Sequence, residues 1–442
     1  MRSAGRRCGM VATRGRLAAA VGVALVVAPM LAACGSEGGK TINVYYSPEE
    51  NFQSVVDKCN ENAGGRYNIV YNKLPRDADG QREQMVRRLA AEDSGMDVLG
   101  LDVTWMPEFA EAGWVLEWTG QNKAEAERGV LKAPLETATW NGKLYGATKN
   151  TNVQLLWYDD RLTPTPPKTF DEMISMAKDL KARNKPYQVV FTGAQYEGYV
   201  VHINTLTRSA GGRILSDDGK SVVIDEGAVR ALELMKTLAT SGITNPALAN
   251  AKEQQVQLAF EDADSQAAFQ INWPYVYSSM QENNPERAKH FKWARYPAVD
   301  PGQDSQATVG GYNLAVSAHS KYPAESFETA LCLRSAESQK YSAVTDGVPP
   351  TIESVYSDTT PVDPSQPASD DNPSMDTKYP MKQAIIDTLK DAGIRPLTPA
   401  YQNASTVLSN LLSPPSGIDP AADAEQLREE LADALESKGL VP

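Results

Sequence analysis

The sequence is poor in the residues and motifs on which most enzymes depend. It holds three histidines in 442 residues, and they share no metal-ligand spacing such as H-x-x-x-H. It also lacks a G-x-S-x-G elbow, a P-loop and a G-x-G-x-x-G fingerprint. We therefore expect no metal, no cofactor and no catalytic residue. Carboxylates are abundant, but none forms a recognisable pair for flanking a glycosidic bond, so a lipid-anchored glycosidase stays only as the alternative from another class.

Positive charge is also scarce. The chain has 43 Lys and Arg against 56 Asp and Glu, and five of the basic residues lie within the first 33 positions. Without that segment the balance is 38 basic to 56 acidic residues, a net charge of −18. An acidic surface with no basic stripe argues against a nucleic-acid partner. After the N-terminal segment, no stretch of the sequence is apolar enough to cross a bilayer.

The N-terminus has the order of parts that an export signal needs. A basic leader is followed by an apolar run that suits a signal peptide and is short for a stable membrane span. The run closes on Leu31-Ala32-Ala33-Cys34, which resembles a bacterial lipobox with its lipid-accepting cysteine. We predict a lipoprotein signal peptide over 1–33, lipidation of Cys34, a tether over 34–40 and a place on the extracytoplasmic face of the cell membrane. A plain transmembrane anchor is the alternative.

Short apolar runs alternate with helical patterns in the rest of the chain, which is typical of α/β proteins. A single core stops growing near ~250–300 residues, so this longer chain is expected to form two lobes. We predict one lobe from 41–151 plus 312–350 and another from 152–311 plus 351–442, with a ligand cleft between them. The predicted strands are Thr41–Tyr46, Tyr67–Asn72, Asp97–Leu101, Tyr187–Thr192, Ala267–Ile271 and Val309–Ser317.

Three cysteines remain after the signal peptide. With Cys34 lipidated, Cys59 and Cys332 could pair in an oxidising exterior. Two buried thiols are the other interpretation, because free cysteines are often buried. We favour a disulfide, since both cysteines fall on predicted helices that could share a lobe, although the spacing alone does not prove it.

Groups that suit a sugar lie where predicted strands end. A sugar has hydroxyls around its rim and C–H faces above and below, so its site needs carboxylates, amides, arginine and aromatic rings. Asp102 closes one strand and Trp273 follows another. Asn152 and Gly311 lie at the two expected crossings between lobes, and Arg395 precedes a helix. We interpret this shared placement as a binding site.

Each of these residues also has an ordinary structural interpretation. Asp102 could cap a turn, and Asn152 could form one. Trp273 could belong to the core, and Arg395 could be an ion-pair partner. Taken singly, none of them identifies a site.

Four segments resemble the extracellular solute-binding proteins of carbohydrate ABC importers, and the likeness covers nearly the whole mature chain. They are Leu99–Trp105, Leu144–Tyr158, Gln270–Trp273 and Val309–Val316. Longer runs are similar to the trehalose-binding lipoproteins of mycobacterial importers, and these are Phe109–Trp114, Asn152–Tyr158, Asn272–Tyr275 and Arg395–Gln402. The resemblance implies a two-lobed α/β fold, of the type II periplasmic-binding-protein kind, that closes on its sugar.

The resemblance also implies ligands and partners. The implied cargo is a disaccharide, with trehalose first and a maltose-like oligosaccharide or a glycerophosphodiester as alternatives. The implied partners are the permease and ATPase subunits of an ABC importer. The loop at Glu49–Asn51 looks shorter than its counterpart, so the acid that reaches the ligand there stays open. The implied ligand-binding set is Glu50, Asn51, Gln81, Asp102, Asn152, Glu253, Trp273, Tyr275, Gly311, Tyr312 and Arg395.

Overall fold

The computed structural model describes residues 39–437. The predicted signal peptide, Cys34 and most of the predicted tether therefore lie outside the described residues. Among those that are described, no helix is long and apolar enough to cross a membrane.

The strands and helices alternate along the chain, as the sequence pattern predicts. The strands are β1 (Thr41–Tyr46), β2 (Asn68–Lys73), β3 (Val98–Asp102), β4 (Thr139–Trp140), β5 (Lys143–Leu144), β6 (Ala147–Asn152), β7 (Leu155–Asp159), β8 (Gln188–Val190), β9 (Ala267–Asn272), β10 (Phe291–Ala294) and β11 (Gly310–Val316). The helices of the first half are α1 (Phe52–Ala63), α2 (Ala78–Ala90), α3 (Met106–Glu111), α4 (Gly120–Glu127), α5 (Lys132–Thr137), α6 (Phe170–Ala182) and α7 (Glu197–Ser209). Those of the second half are α8 (Glu226–Thr240), α9 (Glu253–Glu261), α10 (Tyr275–Asn283), α11 (Pro285–Ala288), α12 (Pro323–Leu333), α13 (Ala336–Asp346), α14 (Glu353–Tyr356), α15 (Met375–Lys378), α16 (Lys382–Asp391), α17 (Tyr401–Leu411) and α18 (Pro420–Leu435).

Two sheets organise two lobes. The first has the order β2-β1-β3-β11-β6, in which β1 is parallel to β2 and β3, while β11 is antiparallel to β3 and β6. The second has the order β10-β7-β9-β8. All residues of β3, β7 and β9 are buried, and the sequences of these three strands are mostly apolar. Such composition is typical of strands that are covered on both faces. The two-lobed α/β prediction is confirmed.

The chain crosses between the two sheets through two connections. It leaves the first sheet at Asn152 and enters the second at Leu155. It returns between Ala294, where β10 ends, and Gly310, where β11 begins. The ends of β6 and β11 are therefore next to the boundary between the lobes.

Most predicted strands agree closely with the observed ones, but the strand predicted at Tyr187–Thr192 covers only Gln188–Val190. The first has the predicted bounds, Thr41–Tyr46. The strand predicted at Tyr67–Asn72 begins and ends one residue later, and Val309–Ser317 is one residue shorter at each end. Such offsets arise because hydrogen bonding, rather than apolar pattern, sets a strand's last residue.

The first lobe contains a disulfide. Cys59 of α1 is bonded to Cys332 of α12, although 273 positions separate them in the sequence. The two helices pack on the same hydrophobic cluster as β1 and β11. The bond therefore joins the beginning of the first lobe to the segment that returns to it.

Candidate ligand-binding site

Strand β11 carries the centre of the candidate site. It lies between β3 and β6, so that Tyr312 is opposite Asp102 and Gly310 is opposite Asn152. Gly311 has φ +123°, and a Cβ placed on it would lie 2.3 Å from the carbonyl oxygen of Asn150. Only glycine fits a positive φ with so close an approach, so this residue type follows from backbone packing.

Asp102 faces the lobe boundary from the end of β3. Its Oδ1 accepts hydrogen bonds from the backbone N–H of Thr104 at 3.0 Å and from the Thr104 hydroxyl at 2.9 Å. The same oxygen accepts a bond from a terminal nitrogen of Arg395 at 3.1 Å. Asp102 thus caps a turn, the structural role that the sequence allowed, and also reaches Arg395 of the other lobe.

Arg395 lies between α16 and α17, and α17 packs against α7 and α18 in the second lobe. Only 2% of its side chain is exposed, and the guanidinium is bonded to Asp102 and Glu197. Burial by itself would lower the pKa of Arg395, but the two carboxylates outweigh that effect and raise it. The Nε of Arg395 has no hydrogen-bond partner among residues 39–437, so this donor is available to a ligand.

Glu197, at the start of α7, was missed by the sequence reasoning. Its carboxylate accepts bonds from Arg395, from the Tyr401 hydroxyl at 2.7 Å and from the Ser405 hydroxyl. Burial raises the pKa of Glu197, whereas the charge of Arg395 opposes that rise. No motif surrounds Glu197, and only its spatial approach to Arg395 reveals it.

Trp273 follows β9 and comes next to β11. Its backbone N–H donates to Oδ1 of Asn272 at 2.9 Å. A Cβ placed on Gly310 would lie 3.0 Å from Cη2 of the indole and 3.4 Å from Cβ of Asn152. The absence of a side chain at Gly310 therefore allows the half-buried indole of the second lobe to approach the first sheet.

Asn152 contributes an unsatisfied amide. Its side-chain Oδ1 is buried and has no hydrogen-bond partner in the described part of the chain. Buried amide oxygens are nearly always paired, so an unpaired one beside Trp273 marks a place where a donor is expected.

Glu253 and Tyr275 lie on the second lobe near the indole. Burial raises the pKa of the Glu253 carboxyl, and the neighbouring Tyr196 and Trp273 side chains oppose that rise. The side chain of Asn272 donates to the backbone oxygen of Glu253 at 3.2 Å. The structure therefore brings Glu253 next to Trp273, together with Tyr196, which the sequence did not indicate.

Gln81 and Tyr312 are joined to each other. The Tyr312 hydroxyl donates to Oε1 of Gln81 at 3.1 Å, and Nε2 of Gln81 donates to the backbone oxygen of Pro75 at 2.9 Å. Gln81 is completely buried, and both ends of its amide are occupied. Its role in this conformation is to hold Tyr312 rather than to offer a free group.

Side chains of the loop after β1 bond to other residues of the first lobe. The Asn51 amide donates to Asp346 at 2.6 Å, and Glu49 accepts from Tyr46 and Lys149. Glu50 is exposed and forms no ion pair or hydrogen bond among the described residues. Neither Glu50 nor Asn51, which the sequence predicted as ligands, bonds to Asp102, Arg395 or Glu197 in the structure.

The candidate site therefore combines carboxylates, an amide, a guanidinium and an indole, drawn from both lobes. Among residues 39–437 no group of His, Cys, Asp and Glu side chains could hold a metal ion. Such a site can bind a polar, ring-shaped solute by hydrogen bonds and by contact with an aromatic face.

The chain belongs to the family of bacterial extracellular solute-binding proteins, whose family model matches residues 47–340. This membership confirms the family that the sequence motifs indicated. It also confirms that the chain is a binding protein rather than an enzyme, which removes the glycosidase alternative. The extracellular place of the family agrees with the extracytoplasmic location expected from the sequence.

Relatives and solved structures extend this result. A Deinococcus radiodurans protein described as a probable ABC transporter-binding protein is 30% identical over 298 residues, which are 65% of this chain and 69% of the relative. Maltose-bound MalE3 of T. maritima superposes with a TM-score of 0.76 at 24% identity, over 90% of this chain and all of that one. The acarbose-binding GacH receptor of Streptomyces glaucescens has a TM-score of 0.75 at 19% identity, over 90% and 99%. At these identities the two structures establish the fold alone.

Proposed function

We propose that this chain is the lipid-anchored substrate-binding subunit of an ABC sugar importer and that it captures trehalose between its lobes. The observation that carries the proposal is the Asp102–Arg395–Glu197 network, which joins both lobes, while Trp273 packs on Gly310 of the strand that pairs with Asp102. Charged and amide groups next to an indole match the hydroxyl rim and C–H face of a glucose ring.

Closure of the lobes supplies the mechanism. We assign 41–151 plus 312–350 to one lobe and 152–311 plus 351–442 to the other, and the membership of the two sheets supports this division. Because Asp102 and Arg395 come from different lobes, a sugar that contacts both binds the closed form more tightly. Its binding therefore shifts the population toward closure, and the permease then recognises the closed shape.

The cargo is a neutral sugar in this proposal. Arg395 is the strong base of the site, and two carboxylates already neutralise it. A phosphate at that place would have to displace one of them, which disfavours a glycerophosphodiester. The maltose and acarbose of the two solved structures support an oligosaccharide, and the sequence resemblance to trehalose-binding lipoproteins selects trehalose.

A panel of ligands tests the cargo. Thermal unfolding of the protein should shift upward with trehalose, because a ligand that binds only the folded state stabilises it by mass action. Maltose and glycerophosphocholine serve as comparison ligands, and sucrose at the same concentration controls for nonspecific sugar effects. Stabilisation by maltose without trehalose would reject trehalose and keep the sugar importer, and no stabilisation by any sugar would reject both.

The anchor has a separate test. A lipid on Cys34 keeps a mobile binder near its permease and so raises its effective concentration. Cells fed radiolabelled palmitate should label the native chain, whereas Cys34→Ala should be unlabelled and released from the membrane fraction. Labelling of Cys34→Ala would reject lipidation at this cysteine.

A further inference from the structure

A cavity of about 330 Å³ adjoins Arg395. Its walls come from α7, from the loop that follows α7, from the segment that joins α16 to α17 and from Glu136 of α5. Cavities that bind small molecules have volumes of roughly 300–1,000 Å³, so this one is large enough for a small ligand. None of the residues predicted as ligands except Arg395 lines it.

Arg208 of α7 lies in this cavity without a bonding partner. Its Nε is buried and has no hydrogen-bond acceptor among residues 39–437. A Cβ placed on Gly393 would lie 3.3 Å from that Nε, so the guanidinium packs closely on the backbone of the opposite wall. A guanidinium has five N–H donors and no acceptor, and leaving the buried Nε of Arg208 unpaired is unfavourable.

The acidic residues of the cavity are already paired. Asp217 lies 3.1 Å from Nε of Arg213, and Glu136 lies 3.6 Å from Nζ of Lys132. Burial, followed by the nearby charge of Arg213, lowers the pKa of Arg208, while the more distant Asp217 and Asp225 oppose this effect. Arg208 is thus the arginine of this cavity that forms no ion pair with a carboxylate of residues 39–437.

Two residues whose backbone N–H groups are unpaired among the described residues line the same cavity. The N–H groups of Ile394 and Leu397 have no acceptor within the described part of the chain, whereas that of Gly393 donates to Ala307. Free backbone N–H groups beside an arginine fork are the donors that proteins use for oxyanions.

We propose that this cavity binds an oxyanion, a phosphoryl or carboxylate group, through Arg208 and the backbone N–H groups of Ile394 and Leu397. The ligand chemistry differs from that of the neutral sugar in the interlobe site, so the inference goes beyond the proposed function and does not depend on it. The oxyanion is either free in solution or a substituent on a cargo that extends past Arg395, and the second case would replace the neutral cargo proposed above.

Calorimetry on the full-length protein tests the inference with inorganic phosphate, glucose 6-phosphate and glucose. Phosphate should bind, and Arg208→Gln should weaken it by roughly ten- to a hundredfold, because one charged hydrogen-bonding group is lost. Arg183→Gln, which removes an exposed arginine bonded to Asp179 in the same lobe, should leave phosphate affinity unchanged. Arg208→Lys, which keeps the charge without the fork, should give an intermediate affinity.

The outcomes separate the two sources of the anion. Equal affinities for phosphate and glucose 6-phosphate indicate a free anion, whereas a tenfold preference for glucose 6-phosphate over both phosphate and glucose indicates an anionic cargo. The proposal is overturned if the native protein binds neither anion, or if Arg208→Gln and Arg208→Lys, each with a native circular dichroism spectrum, bind phosphate as tightly as the native protein does. Trehalose titrated into the same samples reports separately on the interlobe site.

Discussion

Arg395 of the second lobe donates a hydrogen bond at 3.1 Å to Asp102 of the first. The contact forms only when the lobes are close, because Asp102 ends a strand of the first sheet and Arg395 lies between α16 and α17 of the second lobe. The bond therefore joins two proposed sugar-binding residues across the lobe boundary, so substitutions of this pair are the most informative.

Asp102→Asn should weaken trehalose binding by at least about tenfold, since a charged hydrogen bond is worth roughly 1.5–3 kcal/mol. The amide keeps an oxygen for Thr104, so the turn after β3 stays formed. Calorimetry measures the affinity. Glu83→Gln, which removes an exposed ion pair with Arg87 in the same lobe, is the matched control and should bind as the native protein does. Unchanged affinity in Asp102→Asn would exclude this carboxylate from the site.

Gly311→Ala should lower the free energy of unfolding, because a Cβ there would lie 2.3 Å from the backbone oxygen of Asn150. Gly302 also has a positive φ, +79°, but has open space around it, so Gly302→Ala isolates the cost of the dihedral angle. We expect Gly311→Ala to lose about 1–3 kcal/mol more than Gly302→Ala, the usual cost of overpacking. Urea titration of both variants checks this, and equal losses would show that the sheet relaxes around the new methyl group.

Replacing both bonded cysteines by alanine should destabilise the protein without changing its sugar affinity. Removing a native disulfide typically costs about 2–5 kcal/mol. Cys59 and Cys332 join α1 to α12 and touch none of the residues around Trp273. A reducing agent should lower the unfolding temperature of the native protein and leave that of the double variant unchanged. A lower unfolding temperature for both proteins would show that the reducing agent does not act through this disulfide.

Asp346 should make stability depend on pH. Burial, together with the charge of Glu49, raises the pKa of the Asp346 carboxyl from 3.8 to about 6. The folded state thus holds a proton that the unfolded state releases, so this contribution to stability is complete below about pH 4 and is lost as the pH rises through 6.

Asp346→Asn should therefore be more stable than the native protein at pH 7.5, by at most about 3 kcal/mol, and equally stable near pH 4. The amide oxygen still accepts from Asn51, so the loop contact remains. Urea titrations at both pH values measure the difference. Asp387→Asn is the control, since hydrogen bonding from Lys390 lowers the pKa of that exposed carboxyl and gives the opposite sign. A native protein more stable than Asp346→Asn at pH 7.5 would contradict the assignment.

The sequence by itself determined the α/β class, the two lobes and most strand positions, because apolar periodicity reports directly on which faces are buried. It also placed Asp102, Asn152, Trp273 and Gly311 at strand ends, where a parallel or mixed sheet collects its ligand groups. Family motifs supplied Arg395. These features are local, in the sense that each follows from a short run of neighbouring residues.

Only the tertiary structure decided which partners those residues have. Glu197 lies 198 positions from Arg395, and nothing in its own neighbourhood indicates a buried ion pair. Gln81 and Asn51 carry suitable amides, yet Tyr312 and Asp346 occupy them. Local pattern fixes which residues face inward, whereas pairing depends on the distance and direction between elements brought together by folding. The disulfide and the cavity beside Arg208 likewise depend on how folding brings distant elements together.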